Sequence, residues 1–268
     1  MLITSTIYKT GWGNRMKIRP SIGDIKSQSL DMLGGRWTTA VILTLFYALF
    51  NGVVYGLQIY LAEAKAALII MAVLLSFLES FLDLGLRLGM LRYSRNDVPT
   101  VGCIFDAAKY YWKALLYYIP ANVLGYLMNR GMLWLSEYLA DSSSSAMAYG
   151  LLLPVAGVLF GSAILLAGFM PMLYLIIDNP GMGIGKLYAA AWRLMKGNKL
   201  KLVLLQLSFF GWILLSMVTC GIGMLFVIPY MYVAECTFYN HLIDEERERM
   251  LPAEEQGEKP QPLDSSEQ

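Results

Sequence analysis

Charge, histidine and cysteine are all scarce in this sequence. Of its 268 residues only 15% are charged, and 21 lysines and arginines against 20 aspartates and glutamates leave a formal net charge of +1. No basic excess exists to attract nucleic acid, so DNA- and RNA-binding readings are excluded at the outset. The single histidine, His241, and the isolated cysteines Cys103, Cys220 and Cys236 stand at no spacing that makes a metal motif or a disulfide framework. No metal and no cofactor is therefore expected. Hydrolysis or group transfer needs a nucleophile with a positioned base, and one histidine with scattered acids supplies no such pair at readable spacing. The expectation is a protein that is not an enzyme.

Apolar residues are what the chain has instead: 57% hydrophobic at a mean hydropathy of +0.51. About 20 helical residues cross the roughly 30 Å of bilayer hydrocarbon. Apolar stretches of that order run near Trp37 to Tyr60, Ala66 to Leu86, Ala114 to Arg130, Leu151 to Ile177, Leu200 to Val218 and Gly221 to His241. The third is interrupted by Pro120, and its terminal Arg130 can snorkel to the headgroups. The predicted fold is all-α, a polytopic bundle of six transmembrane helices over residues 21–243. A polar, basic stretch over residues 1–20 precedes it and is expected to be flexible, without the features of a cleaved signal. Met16, before Lys17, is a second candidate start. The tail over residues 244–268 holds nine acids, three bases and three prolines and reads as a short helical extension followed by disorder.

Basic residues sort unequally between the two faces. Nineteen fall before the first stretch, between Arg87 and Lys113, between Lys186 and Lys201, or after Ile243, whereas the opposite face holds only Lys65 and Arg130. The positive-inside rule then puts both termini in the cytoplasm. A turn near Glu63, a serine-rich loop from Asp141 to Ser145 and a tight Thr219 to Gly223 turn are left outside.

Three similar stretches precede the pairs of spans: Ile22-Gly23-Asp24-Ile25, Val101-Gly102-Cys103-Ile104 and Ile184-Gly185-Lys186-Leu187. Downstream of each runs an apolar stripe, Ile25, Ser29, Met32 and Leu33, then Ile104, Ala108, Tyr111 and Trp112, then Leu187, Ala191, Leu194 and Met195. This spacing predicts three cytoplasmic interfacial amphipathic helices beside anionic lipid headgroups. Pro171-Met172-Leu173-Tyr174 also parallels Pro229-Tyr230-Met231-Tyr232. Units near 21–90, 100–177 and 183–243 would form a threefold parallel repeat; the alternative is that connectors solving one problem look alike.

The combination of Asp178-Asn179-Pro180, Met195-Lys196-Gly197-Asn198-Lys199, Leu207-Ser208-Phe209-Phe210-Gly211-Trp212, Thr219-Cys220-Gly221-Ile222-Gly223, Pro229-Tyr230 and Phe238-Tyr239 resembles the integral membrane family called domain of unknown function 975. The resemblance implies a six-span, multi-pass protein of a bacterial plasma membrane, without an established activity. The organisation is also similar, distantly, to the membrane domain of glycerophosphodiester phosphodiesterases, whose catalytic barrel is absent. Phe210 and Cys220 stand where the family pattern is aliphatic, and Glu235 where it is small or hydroxyl-bearing, so Glu235 inherits no family role.

Residue chemistry gives these motif positions mainly structural parts. Gly197 and Asn198 would close a helix, after which Lys199 and Lys201 could reach phosphates. Gly211 would admit a neighbouring backbone with Trp212 over the gap, and Gly221 and Gly223 would permit a tight turn. Gly85/Gly89 and Gly157/Gly161 form GxxxG pairs able to seat a helix, internal or from another chain.

Glu79, Asp83 and Arg87 recur every four residues and so share one helix face, while Gln206 and Glu235 lie at comparable depth in other stretches. Ionised groups near a bilayer centre cost about 2.5–3.5 kcal/mol each on insertion scales, so this candidate intramembrane polar site must face protein or water. Two functions are compatible with it. One is a non-catalytic membrane module binding anionic lipid, a membrane protein partner or a second copy at its cytoplasmic face, in envelope maintenance. The other is a small-solute or ion transporter or channel using the carboxylates, which would require Glu79 and Glu235 to line a continuous polar cavity.

Overall fold

The computed structural model describes residues 20–61, 67–97, 99–141 and 164–250, with scattered positions between 154 and 162. The N-terminal stretch before Pro20, the Glu63 turn, the serine-rich loop beyond Asp141 and the tail beyond Met250 lie outside the described residues. Among the described residues every regular element is a helix: α1 (Ile22–Leu33), α2 (Trp37–Leu61), α3 (Ala67–Ser94), α4 (Cys103–Asp106), α5 (Ala108–Asp141), α6 (Pro171–Asp178), α7 (Ile184–Leu194), α8 (Lys199–Leu207), α9 (Phe210–Val218) and α10 (Met224–Met250). The fold is all-α, as expected.

Two helical segments are long and apolar enough to cross a membrane, Trp37–Val54 and Lys199–Val218, the latter formed by α8 and α9 together. A shorter apolar helix runs Ile164–Asp178. The helices α3, α5 and α10 have 28, 34 and 27 residues. At about 1.5 Å per residue each reaches roughly 40 Å or more, but each also carries acidic and basic side chains.

The helix α3 is the axis of the packing and meets α2, α5, α6 and α10. The core around it is aliphatic and aromatic, with Leu84, Leu86, Met90, Leu173, Tyr174, Val233 and Phe238 fully buried. Gly85 and Gly89 explain how α4 comes so close to α3. A Cβ on Gly85 would lie 2.7 Å from the Ile104 carbonyl oxygen and 2.9 Å from its Cα, and one on Gly89 would lie 3.1 Å from the Cys103 sulfur. This GxxxG pair therefore seats an internal segment. Gly157 and Gly161 have nothing within 4 Å of an added Cβ.

The three amphipathic stretches take two different forms. The first starts on a capping box, in which the Asp24 amide donates to Ser21 Oγ at 3.1 Å and the Ser21 amide to Asp24 Oδ2 at 2.7 Å. It buries Ile25, Ser29 and Leu33 against α10 and α3. The third, α7, likewise buries Leu187, Ala191 and Leu194. The middle stretch departs from expectation: it is the single turn α4 running into the 34-residue α5, and its predicted stripe is broken, with Trp112 82% exposed. The register there is set by the closeness of α4 to Gly85, which selects Cys103, Ile104 and Ala107 for burial. Where the stripes are kept, they pack on protein. The prolines differ as well: Pro171 opens α6, where its missing N–H costs nothing, whereas Pro229 lies inside α10.

Gly211 corrects the sequence expectation. An added Cβ there meets nothing within 4 Å, and Trp212 is 48% exposed, so this pair faces outward and admits no backbone. The Thr219–Gly223 turn forms as anticipated. Gly221 has φ +86°, Cys220 φ +51°, and a Cβ on Gly223 would lie 2.8 Å from Ser216 Oγ.

Candidate functional site: a buried arginine knot

Arg87 of α3 is the centre of a polar cluster fed by six helices. Its Nε donates to Asp83 Oδ2 at 2.8 Å, one turn back on the same helix, and its Nη1 donates to Glu235 Oε2 on α10 at 2.6 Å and to the Tyr174 hydroxyl on α6 at 3.2 Å. Tyr118 of α5 and Tyr232 of α10 donate their hydroxyls to the two Asp83 oxygens, at 2.7 and 2.5 Å. Gln206 of α8 donates its amide to Glu235 Oε1, and Tyr174 donates to Oε2 at 3.3 Å. The guanidinium also lies 4.9 Å from the centre of the Tyr232 ring. Tyr47 of α2 is within electrostatic reach. The side chains of Arg87, Asp83 and Glu235 are only 13–17% exposed.

The chemistry of this arrangement is mutual satisfaction. A guanidinium forks toward two carboxylates in the geometry it favours, and tyrosine hydroxyls occupy the remaining acceptor positions. Each ion would be costly alone in this setting, and together they tie α3, α5, α6, α8 and α10 to one point. Of the residues singled out from sequence, Asp83, Arg87, Gln206 and Glu235 meet here. Glu79 is half-buried one turn before Asp83 and within electrostatic reach of Tyr47. The tyrosines were not anticipated, yet a signal existed: the two Pro-x-x-Tyr motifs place Tyr174 and Tyr232 on the same arginine.

A second polar group lies two turns further along α3. Arg95, just past the end of α3, grips Asp178 through its two terminal guanidinium nitrogens, at 2.7 and 2.8 Å, and Tyr239 donates to Asp178 at 2.9 Å. The two paired contacts hold the Arg95 pKa above its ordinary value. Asn240 donates to Ser94 Oγ at 3.1 Å. The rings of Tyr174 and Tyr239, 5.1 Å apart and inclined at 31°, join this group to the knot below. Above it opens a cavity of about 590 Å³, with Gln28, Arg95, Asp178, Asn179, Asn240 and Arg247 among its walls. Neither Glu79 nor Glu235 lines it. His241 sits on its wall with Nε2 2.8 Å from Gln28 Oε1.

Several basic residues bond within the protein. Lys26 donates to the Ser208 carbonyl at 3.2 Å above the Phe209 ring, Lys113 to the Pro180 and Met182 carbonyls, and Lys201 to the Pro20 carbonyl. Lys199 lies over Trp192. Burial against Ser208 and Phe209 pushes the Lys26 ammonium below its ordinary pKa. The Ser208, Pro180 and Met182 carbonyls lie between helices and the Pro20 carbonyl before α1, where no helical N–H answers them, which explains why Lys26, Lys113 and Lys201 stand there.

The remaining motif residues are structural in the same sense. Gly197 has φ +97°, Asn198 is fully buried at the start of α8, and the ring of Tyr230 meets Phe209 edge-on at 4.8 Å. Among the described residues no group of histidine, cysteine and acidic side chains could hold a metal ion.

The family model described as Protein of unknown function (DUF975) matches residues 20–246. No curated protein and no solved structure matches the chain.

Proposed function

The chain belongs to the DUF975 family, and on that premise we propose that it is a non-catalytic, six-span module of a bacterial plasma membrane, with both termini in the cytoplasm. Its cytoplasmic face engages anionic lipid or a protein partner in envelope maintenance. The observation that carries this reading is the closure of the Arg87 knot. Asp83 and Glu235 spend their charge on one arginine and on tyrosines, and the cavity opens elsewhere. A carboxylate committed to holding helices together serves a rigid scaffold better than a transport cycle.

The orientation draws support from contacts between the cation-rich segments. Bonds join Lys201 to Pro20, Arg95 to Asp178, Lys113 to Met182, and Arg193 to Glu246 at 2.8 Å. Segments assigned to one side by charge counting thus gather at one end of the bundle. Exposed cations at that end include Lys196.

The test is reconstitution of the full chain. Crosslinking with mass spectrometry of the native complex is expected to recover anionic lipid or a partner. Vesicles carrying wild type, Glu79→Gln or Glu235→Gln protein are expected to be equally tight to ions and small solutes. Flux that requires Glu79 or Glu235, with no lipid or partner recovered, would replace the scaffold by the transporter.

A further inference from the structure

The cavity above Arg95 has a lining whose charges are already balanced. Arg95 is held by Asp178 through two hydrogen bonds, and Arg247 faces Asp244 at 3.6 Å. The α3 and α6 helices also end here, directing the partial negative charge of their carboxyl ends toward the space. An anionic phosphate therefore gains little from entering. The neutral polar groups on the walls are the carboxamides of Gln28, Asn179 and Asn240 and the hydroxyl of Ser94. Ser94 is committed to the Leu91 carbonyl and to Asn240, the Asn240 oxygen accepts from Arg95 at 3.4 Å, and Gln28 Oε1 pairs with His241. A ligand therefore meets the Asn179 carboxamide and the second N–H and lone pair of the Gln28 and Asn240 amides, which donate and accept. Apolar surface from Met32 and Ile243 completes the lining. The volume of about 590 Å³ falls within the range of small-molecule sites.

We propose that this cavity binds a neutral, hydroxyl-rich group, a sugar or polyol, presented as the headgroup of a membrane glycolipid or as a free saccharide. Hydroxyls match groups that both donate and accept, and the C–H face of a sugar matches the apolar wall. The Arg95–Asp178 pair adds fixed donors and acceptors without adding net charge. Asn179 is the position through which to test this. It caps α6 with its backbone amide on the Leu175 carbonyl at 2.8 Å, while its half-buried side chain lines the cavity. The proposal rests on the membrane reading only for the lipid source of the ligand.

The experiment uses the full-length protein in nanodiscs of phosphatidylcholine containing either diglucosyl diacylglycerol or phosphatidylglycerol, with retained lipid read by native mass spectrometry. Wild type is expected to retain the glucosyl lipid over phosphatidylcholine. Asn179→Leu and Asn240→Leu are expected to lose that preference by about tenfold, the effect of one well-placed hydrogen bond or slightly more, while retaining phosphatidylglycerol as wild type does. Folding of each variant is checked by its unfolding temperature, and Asn179→Leu is the decisive one because its backbone cap survives the change. Competition by free maltose assigns the site to soluble saccharide, and its failure to compete assigns it to glycolipid. Equal retention of glucosyl lipid and phosphatidylcholine by wild type, or unchanged retention by a folded Asn179→Leu, overturns the proposal. Failure of the scaffold reading gives a different signature: wild type that retains no phosphatidylglycerol and recovers no partner.

Discussion

Arg87 is the cation that both carboxylates of the knot share. Truncating it by Arg87→Met leaves Asp83 and Glu235 buried without their cation, which is expected to cost about 3–5 kcal/mol. Glu235→Gln keeps an oxygen for Gln206 and removes one charge from Arg87, so a smaller loss of about 1–3 kcal/mol is expected. Unfolding of the detergent-solubilised protein measures both, and a loss for Arg87→Met no larger than that for Glu235→Gln would show that the carboxylates do not depend on this cation. Gly85 and Gly211 make a second contrast at this scale. Gly85→Ala pushes a methyl against the Ile104 backbone, where little can move, and is expected to destabilise by about 1–3 kcal/mol. Gly211→Ala meets open space in a helix and is expected to be neutral or stabilising by up to about 1 kcal/mol. Sequence separated neither pair, since a glycine in an apolar stretch looks the same whichever way it faces.

Among the elements, α1 depends on a local motif that titrates. The Ser21 backbone and hydroxyl bonds hold the Asp24 carboxyl below its ordinary value of 3.8. A carboxyl lowered on folding contributes stability that is present above the unfolded value and is lost as pH falls through the folded one. Protection factors of the α1 amides, taken against the intrinsic exchange rate at each pH, are therefore expected to be constant from pH 7 to 5 and to fall only below about 4, and Asp24→Asn should remove that acid-dependent fall. A fall already at pH 6 would assign the dependence to another group. The amphipathic period of α1 and α7 was legible because burial on one side imposes it whether the covering surface is lipid or protein. The middle stretch was not, because its register is set by close contact with Gly85 and Gly89 of the preceding helix, which the period of the stretch itself does not encode.

For the molecule as a whole, the native cysteines provide the topological test. Cys220 is exposed in the Thr219–Gly223 turn, whereas Cys103 and Cys236 are buried. A membrane-impermeant maleimide added to intact cells is expected to label Cys220 alone, and Cys220→Ser to abolish labelling. Labelling that appears only after permeabilisation would invert the orientation.

Composition and periodicity by themselves determined an all-helical chain rich in apolar stretches, with its cations distributed unequally along the length and no recognisable catalytic or metal motif. These are properties of one residue and its near neighbours, and helices are built from local contacts. Sequence also marked Asp83, Arg87, Gln206 and Glu235 as polar groups needing company, because charge among apolar neighbours is costly wherever the chain goes. Only the tertiary structure decided what that company is. The tyrosines at 118, 174 and 232 come from helices far apart in the chain, and a phenol reads as packing until its hydroxyl is seen to reach a carboxylate. The cavity, likewise, exists only where the ends of α3 and α6 meet α1 and α10, an encounter that no local pattern encodes.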